Sequence, residues 1–385
     1  MPPEADAQEE VPVVSVVIPC LNEAENIEQC VEAARAAIAQ MGIPGEVVVA
    51  DNDSEDDSAR LAEHAGARVV VERRRGYGSA YLAGFAASRG RYIVMADADL
   101  TYDFNEIPRF VAELEKGAEI VIGDRMDNIH PGAMPWLHRY VGNPILTGIL
   151  NVFFNTGDSD AHCGMRGLRR DILPRLDLRT TGMEFASEMV IRAAKESMDI
   201  RQVPIEYHPR GGESKLSSFR DGWRHLRFLL VHSPLHLFVV PGAVLAVVGM
   251  LSLGVTVTET HIFGRVWGVH AELVAAMLTV VGTQIVALGL AAHAYGSYFM
   301  NERDPWFDRM RARFRLEHGL LLGGAIFLVG LAMLGYIVAA WANRGFGNLG
   351  NGGAAVLATT LVTVGVQIFF SSFLLSILGL RRTDR

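Results

Sequence analysis

Arg91-Tyr-Ile-Val-Met-Ala-Asp-Ala-Asp-Leu100 is a short apolar run of β-type residues that ends in two carboxylates one residue apart. In an extended chain, side chains return to the same face every second residue. Asp97 and Asp99 therefore share a side, where one hard cation or one ribose-diphosphate could meet both. An Asp-x-Asp at a strand end is also how an ordinary solvated turn is built. The neighbouring sequence decides between the two.

Upstream of this run, β-rich stretches at Val13–Pro19, Glu46–Ala50 and Arg68–Glu72 lead to Tyr92–Ala96, with helical stretches at Ala24–Gln40, Asp57–Ala65 and Ser79–Arg89 between them. This βαβ rhythm predicts an α/β, doubly wound, mostly parallel sheet. Ligands of such sheets sit beyond the carboxyl ends of the strands. Three predicted strand ends carry polar, chemically useful residues: Pro19-Cys-Leu-Asn-Glu23, Asp51-Asn-Asp-Ser54 and Asp97-Ala-Asp99. The loop Arg73-Arg-Arg-Gly-Tyr-Gly-Ser-Ala-Tyr81 is basic and opens a helix, so its backbone N–H groups are expected to favour an anion. It lacks the third glycine of a dinucleotide fingerprint and follows the third strand rather than the first, and no Gly-x4-Gly-Lys-Ser/Thr phosphate loop occurs.

The 385 residues are half hydrophobic yet 20% charged. With a mean hydropathy of +0.22, this mixture argues for a soluble part joined to a membrane part. A net charge of −8 argues against a nucleic-acid partner. Cys20, Cys30 and Cys163 have neither disulfide nor zinc spacing and are expected to be reduced and packed. Residues 1–12 are acidic, lack a signal-peptide pattern and read as a disordered tail.

Four apolar runs, at 236–257, 273–292, 319–341 and 354–380, are each long enough to cross a hydrocarbon layer of about 30 Å as a helix. The connection Asn301–Glu317 holds Arg303, Arg309, Arg311, Arg313 and Arg315, and the C-terminal tail holds Arg381, Arg382 and Arg385. The other two loops hold one arginine each, Arg265 and Arg344, so the positive-inside bias puts the first domain, the middle loop and both termini in the cytoplasm. Just ahead of the first span, Phe219, Trp223, Leu226 and Leu230 recur at helical spacing with Arg220, Arg224 and Arg227 on other faces. This pattern reads as an interfacial amphipathic helix over 216–234, or as an amphipathic helix packed on the soluble domain.

Seven blocks occur in order: Val14-Ser-Val-Val-Ile-Pro-Cys-Leu-Asn-Glu23, Asp51-Asn-Asp-Ser-Glu-Asp56, Gly76-Tyr-Gly-Ser-Ala80, Asp97-Ala-Asp-Leu100, Gly123-Asp-Arg125, Asp160-Ala-His-Cys-Gly-Met-Arg166 and Arg210-Gly-Gly-Glu-Ser-Lys215. Together they resemble the family 2 glycosyltransferases of the dolichyl- or polyprenyl-phosphate hexose synthase type, dolichyl-phosphate mannose synthase included. The resemblance implies a GT-A-type sheet over 13–215, followed by the interfacial helix and a four-helix transmembrane region over 235–385. It also implies transfer of a hexose, glucose or mannose, from a nucleoside-diphosphate sugar to a polyprenyl or dolichyl phosphate at the lipid bilayer. Mg²⁺ or Mn²⁺ would sit on Asp99 and Asp97. Thr101 stands where the family often has Gln, which makes it a weak third ligand.

The same resemblance assigns Pro19, Leu21, Glu23, Asp51, Asp97, Ala98 and Asp99 to the nucleotide sugar. Arg125, Arg139, Arg210 and Lys215 fall to the acceptor phosphate, Arg125 with Asp97 and Asp99 in the catalytic set. An ionised acceptor needs no dedicated base, so transfer is a single inverting displacement driven by positioning and charge neutralisation. Glu184 and Glu188, four apart on a helix, read either as sugar-hydroxyl contacts or as a solvated face. A homo-oligomer is compatible with this organisation. A processive polysaccharide synthase would carry a Gln-x-x-Arg-Trp block, which is absent. The other alternative is a non-catalytic binder of lipid-linked sugar, which would have no need of Asp97, Asp99, Arg210 and Lys215.

Overall fold

The computed structural model describes residues 11–154, 156–157, 159–211, 218–258, 267–299, 305–313, 316–346 and 352–379. The acidic tail before Val11, Lys215 and the C-terminal arginines lie outside them. The chain divides into a first unit ending at Leu229 and a second beginning at Leu230.

The first unit alternates as the sequence predicts: β1 (Val14–Cys20), α1 (Ile27–Met41), β2 (Gly45–Asp51), α2 (Ser58–His64), β3 (Arg68–Val71), α3 (Tyr77–Ala87) and β4 (Tyr92–Met95). It continues through α4 (Ile107–Glu115), β5 (Ile120–Asp124), α5 (Asn143–Phe154), β6 (Arg166–Arg169), α6 (Leu173–Leu176), α7 (Phe185–Lys195), β7 (Ile200–Pro204) and α8 (Ser218–Val231), the last of which straddles the division. The seven strands form one sheet in the order β3-β2-β1-β4-β6-β5-β7. Every pairing is parallel except those of β6, which runs antiparallel to β4 and β5.

Central strands covered on both faces must be apolar throughout. Val14, Val16, Val17 and Ile18 of β1 and all of β4 are accordingly buried. Helix α1 covers the sheet with Ile27, Cys30, Val31, Ala34, Ala37 and Ile38, an apolar stripe at helical spacing. It stops at Gly42, whose φ of 64° suits a residue without Cβ. All three cysteines are free and buried, and burial pushes their thiols up to about 11 for Cys20 and about 12 for Cys30 and Cys163.

Helix α8 turns Leu229 and Phe228 onto the core of its unit, while Trp223 remains 57% exposed and Arg224 and Arg227 are exposed. The packing of Leu229 and Phe228 is what an amphipathic helix lying on the soluble domain requires.

The second unit consists of α9 (Val240–Val257), α10 (Val269–Phe299), α11 (Pro305–Arg313), α12 (Leu316–Asn343) and α13 (Gly352–Gly379). Four helical segments, Leu235–Val257, Val269–Phe299, Leu316–Asn343 and Gly352–Gly379, are long and apolar enough to cross a membrane. Helix α10 outruns its expected span at both ends. Close approach uses small residues: a Cβ on Gly282 of α10 would lie 2.3 Å from the Ala246 nitrogen of α9, and one on Gly365 of α13 2.5 Å from the Phe327 nitrogen of α12. Lipid tails offer no hydrophobic drive between helices, so such backbone contact is how the pairs gain attraction.

Candidate active site

A cleft of about 350 Å³ opens at the carboxyl ends of β1, β2 and β4. Pro19, Leu21, Glu23, Asp97, Ala98, Asp99, Arg125 and Arg210, assigned from the sequence to nucleotide, sugar and acceptor, all line it. Asp51 lies at the end of β2, next to the cleft residue Asn52. Its Oδ2 accepts the Ser54 N–H at 3.3 Å, while its buried Oδ1 has no hydrogen-bond partner among the described residues. Arg139 sits on the turn before α5, with its guanidinium 5.4 Å from the Tyr140 ring centre, and is not among the cleft's lining residues.

The two carboxylates of the opening run are held differently. Tyr77 and Tyr81 both donate to Asp97 Oδ1, at 3.0 and 3.2 Å. Burial, and then the charge of Asp99, push the Asp97 carboxyl up to about 6 against the pull of those two hydroxyls. Asp99 is 4% exposed. Its Oδ1 accepts the Thr101 N–H at 3.1 Å and the Thr101 hydroxyl at 2.5 Å, and Arg210 donates to its Oδ2. Leu100 takes a φ of 61°, turning the chain so that Thr101 folds back on Asp99. Thr101 is therefore spent on orienting Asp99 and is not among the lining residues.

The raised Asp97 carboxyl has a consequence for stability. Its folded value lies above the ordinary 3.8, so the native state holds a proton the unfolded chain has released, and stability falls as pH rises from about 4 through about 6. Asp97→Asn, neutral throughout, should match the unloaded wild type in thermal midpoint near pH 4 and exceed it above pH 6. Parallel pH curves for the two proteins would contradict the assignment.

Arg125 is 6% exposed, and Asp160 holds it by two bonds, 2.6 Å to Nε and 2.9 Å to Nη2. Burial opposes the guanidinium's charge, but Asp160, Tyr102 and Cys163 together outweigh it and keep its pKa above the ordinary value. Asp160 is lowered in turn: burial disfavours its charge and Arg125 more than compensates. The Arg125 guanidinium also lies 5.0 Å from the Tyr207 ring centre, with Nη1 3.4 Å from the Tyr102 hydroxyl. Arg166 is wholly buried and donates to the carbonyls of Cys163, Ala186 and Ala161 at 2.8, 2.6 and 2.9 Å, tying the 161–163 turn to α7. His162 in that turn is driven down to about 3, first by burial and then by the nearby His225.

Besides Arg139 and Thr101, two more sequence expectations change. The start of α3 is not an open anion site: the Ser79 N–H donates to the Thr181 carbonyl at 3.2 Å, and a Cβ on Gly78 would lie 2.2 Å from the Thr180 oxygen. The loop ahead of it is held by Asn52, whose amide donates to the Glu72 and Arg74 carbonyls and accepts from the Gly76 N–H at 2.6 Å. Glu188 is neither a sugar contact nor a solvated charge. It is 3% exposed and accepts the N–H groups of Arg179 and Thr180 and the Thr180 hydroxyl, fixing the loop that covers α3. The sequence reading also missed Tyr77, Tyr81, Tyr102 and Tyr207. A tyrosine next to a glycine loop carries no pattern that sets it apart from core.

Residues 15–176 match the glycosyl transferase family 2 domain, and residues 290–379 match the glycosyltransferase family 2 C-terminal transmembrane region. The chain is 44% identical over 370 residues to the low-salt glycan biosynthesis hexosyltransferase Agl6 of Haloferax volcanii, covering 96% of this chain and 89% of that protein. It is 29% identical over 309 residues to the undecaprenyl-phosphate 4-deoxy-4-formamido-L-arabinose transferase of Proteus mirabilis, covering 77% and 92%. Among solved structures, glucosyl-3-phosphoglycerate synthase of Mycobacterium tuberculosis aligns with a TM-score of 0.48 at 22% identity, over 58% of this chain and 80% of that one. The chain belongs to glycosyltransferase family 2, as a multi-pass membrane glycosyltransferase with a GT-A-like sheet and four apolar C-terminal helices.

Proposed function

We propose that this protein transfers a hexose, glucose or mannose, from a nucleoside-diphosphate sugar to a polyprenyl or dolichyl phosphate at the cytoplasmic membrane face. The observation that carries the reading is the cleft in which Asp97 and Asp99 meet Arg125 and Arg210: paired carboxylates for a diphosphate-bound cation, opposite guanidinium groups suited to phosphate. The named activity of the Proteus mirabilis relative supports a polyprenyl-phosphate acceptor. The arginine count of the middle connection supports the cytoplasmic side. Residues 13–215 are the catalytic domain, 216–234 the interfacial helix and 235–385 the membrane domain.

Asp99 and Asp97 fit a hard divalent cation, because both are carboxylates in one buried cleft and Asp97 already carries the cost of Asp99's charge. Mg²⁺ or Mn²⁺ bound there supplies charge neutralisation for the departing diphosphate. Thr101 keeps Asp99 oriented. Asp51, whose buried Oδ1 lacks a hydrogen-bond partner among the described residues, would accept from a base N–H, and Pro19, Leu21 and Glu23 line the nucleotide. Asp99 and Asp97 would hold the cation, and Arg210, with Lys215, would grip the acceptor phosphate. A lipid phosphate oxygen attacks the anomeric carbon, the bond to the diphosphate oxygen breaks with its electron pair, and the configuration inverts. The acceptor is already ionised, so no base takes a proton.

Because a ligand that binds only the native state stabilises it by mass action, about 2.7 kcal/mol at a hundredfold excess over Kd, donor identity can be read by melting. UDP-glucose, GDP-mannose or a UDP-N-acetylhexosamine should raise the thermal midpoint with Mn²⁺ and lose the effect in EDTA. No shift with any of the three would overturn the donor assignment.

A further inference from the structure

Outside the cleft, His130, Glu206 and His208 bring one ligand atom each to within 4.8 Å of the others. Backbone pairing sets this up. The His130 N–H donates to the Tyr207 carbonyl at 3.0 Å, the Tyr207 N–H to the Asn128 carbonyl at 3.1 Å, and the His208 N–H to the Thr101 carbonyl at 2.9 Å. Ile129 and Tyr102 each bridge to Tyr207, so the turn after Arg125 is locked beside the segment after β7. Glu206 and His208 alternate by two in that extended segment and share a side.

His130 Nε2 lies 3.0 Å from Glu206 Oε2, and His208 Nε2 lies 3.5 Å from the same oxygen. In a tetrahedral site with bonds of about 2.0–2.1 Å, neighbouring ligand atoms stand about 3.3–3.5 Å apart, which is close to this spacing. The two imidazoles stack with ring centres 4.4 Å apart and planes at 24°. Two imidazoles and a carboxylate form an N₂O ligand set. Side-chain exposures of 44% for His130, 56% for Glu206 and 35% for His208 leave room for water in the remaining position.

We propose that His130, Glu206 and His208 bind one divalent cation of the Zn²⁺ class. Imidazole ligands favour Zn²⁺ over the hard cations that suit the all-carboxylate pair Asp97 and Asp99. The cation ties the turn that follows Arg125 to the segment that runs through Tyr207 to Arg210, two walls of the cleft. It is a structural clamp, and its binding requires no nucleotide sugar.

The full-length chain in detergent, stripped with EDTA and dialysed, is titrated with Zn²⁺ by calorimetry, with Co²⁺ as a spectroscopic probe. The expected result is a saturable site with a tetrahedral Co²⁺ spectrum that persists when Asp97 and Asp99 are both asparagine. His130→Asn and His208→Asn should each weaken it tenfold or more. Glu206→Gln carries the same test should either histidine variant change the metal-free melting midpoint. Zn²⁺ should also slow hydrogen exchange at the His130 and Tyr207 amides in the wild type and not in His208→Asn. Zn²⁺ affinity unchanged in the double histidine variant, or binding that disappears with Asp97 and Asp99, would overturn the proposal.

Discussion

Asp99→Asn is expected to lower sugar transfer about a thousandfold or more, equivalent to about 4 kcal/mol of lost transition-state stabilisation. The substitution keeps the shape of the side chain and the acceptor for the Thr101 groups at Oδ1, so the turn that begins at Leu100 should survive. What disappears is the charge that would hold a cation against the leaving diphosphate, together with the charged partner of Arg210. The variant should insert in membranes and retain a metal-free thermal midpoint within a few degrees of the wild type, while donor no longer raises that midpoint in Mn²⁺. Wild-type turnover in Asp99→Asn would remove this residue from the chemistry.

The largest effect on stability should come from Asp160→Asn. Asp160 is fully buried and pairs twice with an arginine that is itself nearly buried. Removing one member of such a pair leaves the other charged without compensation, at about 3–5 kcal/mol. For a domain of this size that corresponds to a fall of about 10 °C in midpoint. Arg125→Met combined with Asp160→Leu should recover much of the stability while leaving transfer impaired, because the cleft would still lack the guanidinium. A midpoint unchanged in Asp160→Asn would mean that the pair does not hold the fold. If transfer were unchanged in the double variant, Arg125 would have no part in the reaction.

These two residues also mark how far the sequence could be read. Asp99 was legible because a β run that ends in carboxylates is a local pattern, and the strands before it, β1 to β4, are continuous apolar runs punctuated by turns. The four membrane helices were legible for the same reason, length and apolarity being local properties. The antiparallel insertion of β6 was not. Arg166-Gly-Leu-Arg169 carries two arginines in four residues and reads as loop; it is a strand through its pairing with β4 and β5, and three carbonyls around the Arg166 guanidinium let that side chain be buried. The tie between Glu188 and the 179–180 loop, and the one between Thr181 and the start of α3, join residues distant in sequence or conformation. Helical spacing at Glu184 and Glu188 shows a shared face and nothing of what covers it. Arg125 was found by its block, but its partner Asp160 was not, since pairing across 35 residues leaves no periodic trace.

The central claim is that this chain makes lipid-linked sugar at Asp99. The most direct measurement incubates the purified full-length protein with radiolabelled nucleotide sugars, Mn²⁺ and polyprenyl phosphate, then counts label in the lipid extract. Label should appear with at least one donor, depend on the lipid phosphate, disappear in EDTA and be lost in Asp99→Asn. An extract without label from every donor, or equal label from the wild type and Asp99→Asn, would contradict the account.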